Sequence, residues 1–364
     1  MTVDKPMKIL HIYPKSDNMI AKYVSILVEG MHHSADVRAT DSPSDFKAIC
    51  QKMEPDIVHC HGCWQYTIVN AANMARKNGA RIILSPHGQL EPWILEEKSL
   101  QEKLHKTLLW QKSSVERAYA IIVFGNMEQK HLRQLKWNPR IEVVRNTLIT
   151  NSITPQEMCS QTFAIYQKTL DSNVLEQMNE TTQRLLACII KAGITGDRRW
   201  VQEPVVCGQE TDWRRLLIYA EHENIRNYVD YGISILGLET PSLDTSKITA
   251  YFPNDWQQPV TLKETIGEYK GDETDYIVRM IRQIEKQPLL LHLIELAREF
   301  RRDTVDDDQL QQALEEKKLL KYASCLMQIL QEQTLLEEGY MPLPPSDNRE
   351  TRHIRNLIMN HLKI

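Results

Sequence analysis

Six short apolar runs are spaced through the first 150 residues, and each is closed by a polar or turn-forming cluster. Lys8–Tyr13 ends at Pro14, Val37–Thr40 follows, and Asp56–His61 ends at Gly62. Arg81–Ser85 ends at Pro86-His87-Gly88, Ala120–Phe124 at Gly125-Asn126, and Ile141–Val144 at Arg145-Asn146. Runs that are apolar at most positions, without polar alternation, belong to strands buried on both faces. Between them lie helical patterns. Asn18–His32 carries Ile20, Tyr23, Val24, Leu27, Val28 and Met31 at spacings that make one stripe. Ser44–Met53 and Met127–Leu135 are shorter, and Tyr66–Asn78 is closed by Gly79. Strand and helix in alternation predict an α/β fold with a doubly wound, Rossmann-like parallel sheet, whose ligands bind outside the carboxyl ends of the strands.

After Ser152 the rhythm changes. Gln156–Ala192, Asp212–Leu236 and Thr274–Glu338 read as mainly helical, with breaks at Gly193–Gly196, Glu239–Pro241 and Lys270–Asp272. Lys247–Phe252 is the one candidate strand there, and Arg349–Lys363 is a last basic helix. The expected organisation is therefore an α/β domain over 1–152 and a mainly α-helical domain over 153–364.

Composition narrows the class. The 364 residues are 42% hydrophobic and 25% charged, enough for two cored domains. Thirteen glycines are about half of the ordinary share of roughly 7%, which disfavours turn-dense all-β folds. No apolar run reaches the roughly 18 residues of a membrane span, and the start MTVDKPMKIL lacks a signal-peptide core, so a cytoplasmic protein is expected. The seven cysteines are odd in number and scattered, as reduced thiols are. The formal net charge of −4 conceals a division: through Ser152 basic residues exceed acidic ones by 5, and after it they fall short by 9. Eight of the twelve histidines lie in the basic part. A basic half suits anions or a membrane surface, and an acidic helical half suits a protein partner. No aromatic-basic module supports nucleic-acid binding.

The positions just past the strand ends are the candidates for chemistry. They are Ser16, Asp17 and Asn18; His59, His61 and Trp64; His87, Gly88, Glu91 and Trp93; Asn126; and Arg145 with Asn146. Imidazoles and amides hydrogen-bond hydroxyls, and indole faces cover the apolar side of a sugar ring, so the set suits a polyhydroxylated ligand. His59, within its strand, reads equally as a satisfied core histidine. His61 and His87 sit at strand exits beside glycine, where backbone and ligand approach closely. Cys60-x-x-Cys63 has zinc-ligand spacing, but no second pair follows it. Strand alternation also sends His59 and His61 to the face opposite Cys60, so neither a metal nor a redox pair is expected. Glu96–Arg117 is amphipathic and carries Lys98, Lys103, His105, Lys106, Lys112 and Arg117. It suits peripheral contact at the inner membrane face, although a plain surface helix packed on the sheet fits the same pattern. Dinucleotide, P-loop, hydrolase-elbow and zincin motifs do not occur.

Taken together, Lys8–Tyr13, Pro55–Gly62, Ser85-Pro86-His87-Gly88-Gln89-Leu90-Glu91-Pro92-Trp93 and Ala118–Ile122 resemble the N-terminal domain of family-4 glycosyltransferases of the GT-B fold. The resemblance covers about the first 150 residues. It implies that His87 is the catalytic-site histidine facing the transferred sugar of a nucleotide-sugar donor, with no cofactor beyond that substrate. It also implies that this domain holds a glycan or lipid-linked acceptor, with His59, His61 and Ser16–Asn18 at the rim. Three features depart from the family. Pro14–Asn18 replaces a glycine-paired loop, Arg145-Asn146-Thr147 replaces Pro-Asn-Gly, and no second Rossmann-like domain with a basic diphosphate clamp follows Ser152. A leaving diphosphate needs positive groups or helix N-termini to take up its charge. Two readings stay open: a glycosyltransferase of bacterial surface polysaccharide biosynthesis, and a non-catalytic glycan-binding or scaffold subunit that has lost the donor domain.

Overall fold

The computed structural model describes residues 6–100, 105–201, 211–253, 256–267, 271–302 and 304–359. The chain divides at Leu170–Asp171 into two compact units. The first runs β1 (Met7–Ile12), α1 (Asn18–Met31), β2 (Ala35–Thr40), α2 (Pro43–Met53), β3 (Ile57–His61), α3 (Tyr66–Lys77), β4 (Arg81–Ser85), α4 (Pro92–Leu100), α5 (His105–Arg117), β5 (Ala120–Val123), α6 (Asn126–Leu135), β6 (Ile141–Val143) and α7 (Pro155–Leu170). All six strands pair in parallel, in the order β2-β1-β3-β4-β5-β6. The order of the chain reverses between β1 and β3, and a crevice at such a switch point is where open α/β sheets take ligands.

Both faces of the sheet are covered, which is why the strands read as continuous apolar runs. On one face Leu10, Ile12, Val58, Cys60, Leu84 and Ile121 join the core formed with Phe46, Ala72, Val115 and Leu132. The other face carries His11, His59, His61 and Ser85, all fully buried. Tyr23 of α1 and Tyr166 of α7 pack over these histidines. The helix Pro155–Leu170 therefore belongs with the sheet rather than with the helical half, which moves the boundary from Ser152 to Leu170. Its Cys159 thiol meets the Ile26 carbonyl of α1 at 3.4 Å. The long helix expected over Glu96–Arg117 is α4 and α5; residues 101–104 and the side chains of 97–108 lie outside the described residues.

The second unit comprises α8 (Val174–Gln177), α9 (Glu180–Thr195), α10 (Trp213–His222), α11 (Arg226–Leu236), α12 (Leu262–Ile266), α13 (Glu273–Lys286), α14 (Leu290–Phe300), α15 (Asp307–Glu316), α16 (Leu320–Thr334) and α17 (Arg349–Met359). One apolar core built on Leu186, Ile189, Leu217, Ile281, Leu293 and Leu326 joins them. Two sequence expectations fail here for physical reasons. Lys247–Phe252 forms no strand, because the Tyr251 N–H is taken by the Ser172 hydroxyl at 2.7 Å instead of a ladder partner. Gly193 does not break its helix, which runs on to the left-handed cap at Gly196. Gly193 instead lets α9 come close to α11: a Cβ there would lie 2.1 Å from the Tyr228 carbonyl, and one on Gly232 would lie 2.0 Å from that of Ile189. No helix among the described residues is long and apolar enough to cross a membrane.

Candidate functional site

The parallel register sets the site. His11 of β1 stands opposite His59 of β3, and His61 at the end of β3 stands opposite Ser85 at the end of β4. Residues two apart on a strand share a face, so the three histidines and the serine converge on one buried face at the carboxyl ends of β1, β3 and β4. His59 is tied at both ring nitrogens, Nδ1 to the Tyr166 hydroxyl at 2.5 Å and Nε2 to the Ser85 hydroxyl at 2.8 Å. His11 Nδ1 lies 2.9 Å from His61 Nε2, and His61 Nδ1 lies 3.1 Å from His87 Nε2. A file of three imidazoles therefore leads from the core to the strand-end loop.

His87 is the outermost member and is only partly buried. The edges and faces of Tyr23 and Phe124 clamp its ring, with centroids 5.3 Å and 4.9 Å away at angles of 88° and 74°. Its φ of 55° is left-handed, a conformation uncommon outside glycine and concentrated at functional positions. Gly88 follows at φ 76°, and its N–H donates to Glu128 Oε1 at 2.8 Å. The other oxygen of Glu128 accepts from the Phe124 N–H at 3.0 Å. Burial raises the Glu128 pKa, and these two N–H donors oppose that rise. Gln89 also fastens the loop, accepting from the Cys63 N–H at 2.6 Å while its carbonyl accepts from the Trp64 indole at 2.8 Å. Gly62, at φ 82°, brings the β3 exit against Pro14 of the β1 exit, where a Cβ would lie 3.3 Å from Pro14 Cγ.

Burial keeps the imidazoles neutral. It lowers His11 to about 3 and His87 to about 4, the latter against the pull of Asp17. His59 and His61 fall well below the usual value through burial and then through the neighbouring histidines. Burial also pushes the Cys60 thiol up to about 12 and raises Cys63 as well, so both thiols stay protonated at neutral pH in the folded chain. Among the described residues, the group that converges closely enough for a metal is His11, His59 and His61, with ligand atoms within 4.8 Å of one another. The cysteines of the zinc-like spacing are not part of it. In the structure His11 Nδ1 pairs with His61 Nε2, and His59 is bonded to Ser85 and Tyr166, while His11 Nε2 has no partner among the described residues.

The remaining candidates fall into two groups. Ser16, Asn18, Trp93, Asn126 and Arg145 are exposed at the strand-end rim, and Asp17 caps α1 by accepting from the Met19 and Ile20 N–H groups at 3.0 Å. His59, Glu91 and Asn146 are instead taken up by internal partners. His59 belongs to the core network, Glu91 is buried against His131, and Asn146 accepts from the Leu148 N–H at 2.9 Å to close its own turn. Trp64 is half-buried as a brace for the loop. Sequence reading missed His11, Tyr23, Ser85, Glu128 and Tyr166. Of these, His11 carried a usable signal, because a polar residue in the middle of an otherwise apolar buried strand needs a partner.

Residues 25–147 match the family model of the glycosyl transferase 4-like domain. That span takes in β2 to β6 and lies wholly within the α/β unit. His59, His61, the His87 loop, Glu128 and Asn146 fall inside the glycosyltransferase-4-like domain, whereas His11 precedes it and Tyr166 follows it. No curated protein and no solved structure matches the chain.

Proposed function

We propose that the protein is a glycosyltransferase that moves a sugar from a nucleotide-sugar donor to a glycan or lipid-linked acceptor in bacterial surface polysaccharide biosynthesis, working at the cytoplasmic face of the membrane. The observation that carries this reading is His87, held in a left-handed turn just past the end of β4 within the span that matches the glycosyl transferase 4-like domain. A neutral imidazole there hydrogen-bonds a sugar hydroxyl. Met19, Trp93, Met127 and Ile149 are large apolar side chains left exposed just past strand ends, which suits an acceptor with an apolar carrier. The test is sugar transfer and donor hydrolysis across a panel of nucleoside diphosphate sugars with lipid-linked acceptors. Turnover with one donor is expected, reduced on the order of a hundredfold by His87→Ala; no turnover with any donor would contradict the reading.

A second reading has its own support. Every regular element described from Asp171 onward is helical, so among these residues there is no second sheet to hold a donor diphosphate. On that reading the protein binds glycan without turnover and docks a protein partner through its acidic helical unit. Glycan binding would then survive His87→Ala unchanged.

A further inference from the structure

The file His11, His61, His87 has a direction, and His11 determines it. Each neutral imidazole has one N–H and one bare nitrogen. With contacts of 2.9 Å from His11 Nδ1 to His61 Nε2 and 3.1 Å from His61 Nδ1 to His87 Nε2, only two ordered arrangements satisfy both bonds. In one, the protons point outward: His11 Nδ1–H donates to His61 Nε2, His61 Nδ1–H donates to His87 Nε2, and the proton of His87 sits on Nδ1. In the other, every proton points inward and that of His11 sits on Nε2.

His11 Nε2 is buried and has no partner among the described residues. The inward arrangement would leave an N–H orphaned in the core, whereas the outward one leaves only a bare lone pair there. Orphaned buried N–H groups are the rarer of the two in folded proteins. We infer that the file is ordered outward, so that His11 and His61 are positioning residues that fix His87 as the Nδ1–H tautomer, a hydrogen-bond donor to its ligand. The depressed proton affinity of all three rings agrees with a file of neutral imidazoles.

The consequence for the ligand rests on the glycosyltransferase reading; the tautomer itself does not. His87 Nε2 is occupied by the His61 N–H, and its Nδ1 already carries a proton. The ring therefore takes an acceptor oxygen, such as a sugar hydroxyl lone pair, and is not a general base at neutral pH.

The experiment is long-range ¹H–¹⁵N correlation of the ring nitrogens in the full ¹⁵N-labelled chain at pH 7, without ligand, with His87 assigned by the rim variant His87→Gln. The expected spectrum has His87 protonated at Nδ1, and scalar coupling between its Nε2 and a protonated His61 Nδ1. His87 protonated at Nε2, a fast average of both tautomers, or absence of the coupling would overturn the inference. A His61→Leu variant adds a readout that mere packing would not move: His87 should change from one tautomer to an exchanging pair. A single Nδ1–H signal retained in that variant would show that His61 does not set it. Should His61→Leu fail to fold, the wild-type spectrum alone still decides. A wild-type result against the inference leaves the transfer assay free to succeed, so the two failures are distinguishable.

Discussion

At the residue scale the buried histidines make stability depend on pH. The folded pKa of His11 is about 3, and the usual unfolded value is about 6.5. Between these values the unfolded chain binds a proton that the folded chain does not. The contribution is therefore essentially complete about a unit above pH 6.5 and falls toward about 1.4 kcal/mol per pH unit below it for this ring alone. His59 and His61 shift in the same direction. Urea midpoints at pH 7.5, 6.5 and 5.5 should fall slightly across the first step and more steeply across the second, and a flat series would refute buried neutral rings. The purified chain should also carry a metal only below stoichiometry, because most of the converging nitrogens are already bonded and, among the described residues, no carboxylate stands in the cluster to pair a buried dication. One zinc per chain by elemental analysis would contradict this. His87 stands, as its sequence position suggests, at a strand exit beside glycine and is only partly buried, whereas His61, expected at the rim, is fully buried with both ring nitrogens bonded to His11 and His87. Glu91 and Asn146 stand at similar places, but the partners that absorb them, His131 and the Leu148 N–H, depend on packing and turn geometry that spacing does not reveal.

At the element scale the strand-end loop depends on Glu128, at the start of α6. Its two oxygens accept from Gly88 and Phe124, and Glu128→Gln would leave at least one of these N–H groups facing an amide that cannot accept it. The expected loss is about 1–3 kcal/mol, read as a lower urea midpoint, and wild-type stability would contradict the brace. In the helical unit, Gly232→Ala gains about 1 kcal/mol of helix propensity but drives a methyl into the Ile189 carbonyl. A rigid backbone contact at 2.0 Å outweighs that gain. The variant should lose about 1–3 kcal/mol net, and a stabilised variant would show that α9 and α11 are less closely packed. The strands of the sheet were readable because burial on both faces leaves an apolar run. The place of α7 was not, since an apolar stripe shows that a helix is covered without showing by what. Lys247–Phe252 has the composition of a strand, but a strand also needs a neighbour, and its backbone is bonded elsewhere.

At the scale of the whole molecule, a basic α/β unit with a glycosyltransferase-4-like domain is followed by an acidic helical unit. The change of fold class was visible in the changing period of the apolar pattern, which moves from short runs to stripes of three and four. The chemistry of the second unit was not visible, because a helical core states only its own packing. The proposed function stands or falls on whether the strand ends around His87 receive a nucleotide sugar. Calorimetric titration of the full chain with a panel of nucleoside diphosphate sugars tests it most directly. Saturable binding of one donor is expected, weakened about tenfold, or about 1.4 kcal/mol, by His87→Ala. No binding by any donor, or binding that His87→Ala leaves unchanged, would contradict it.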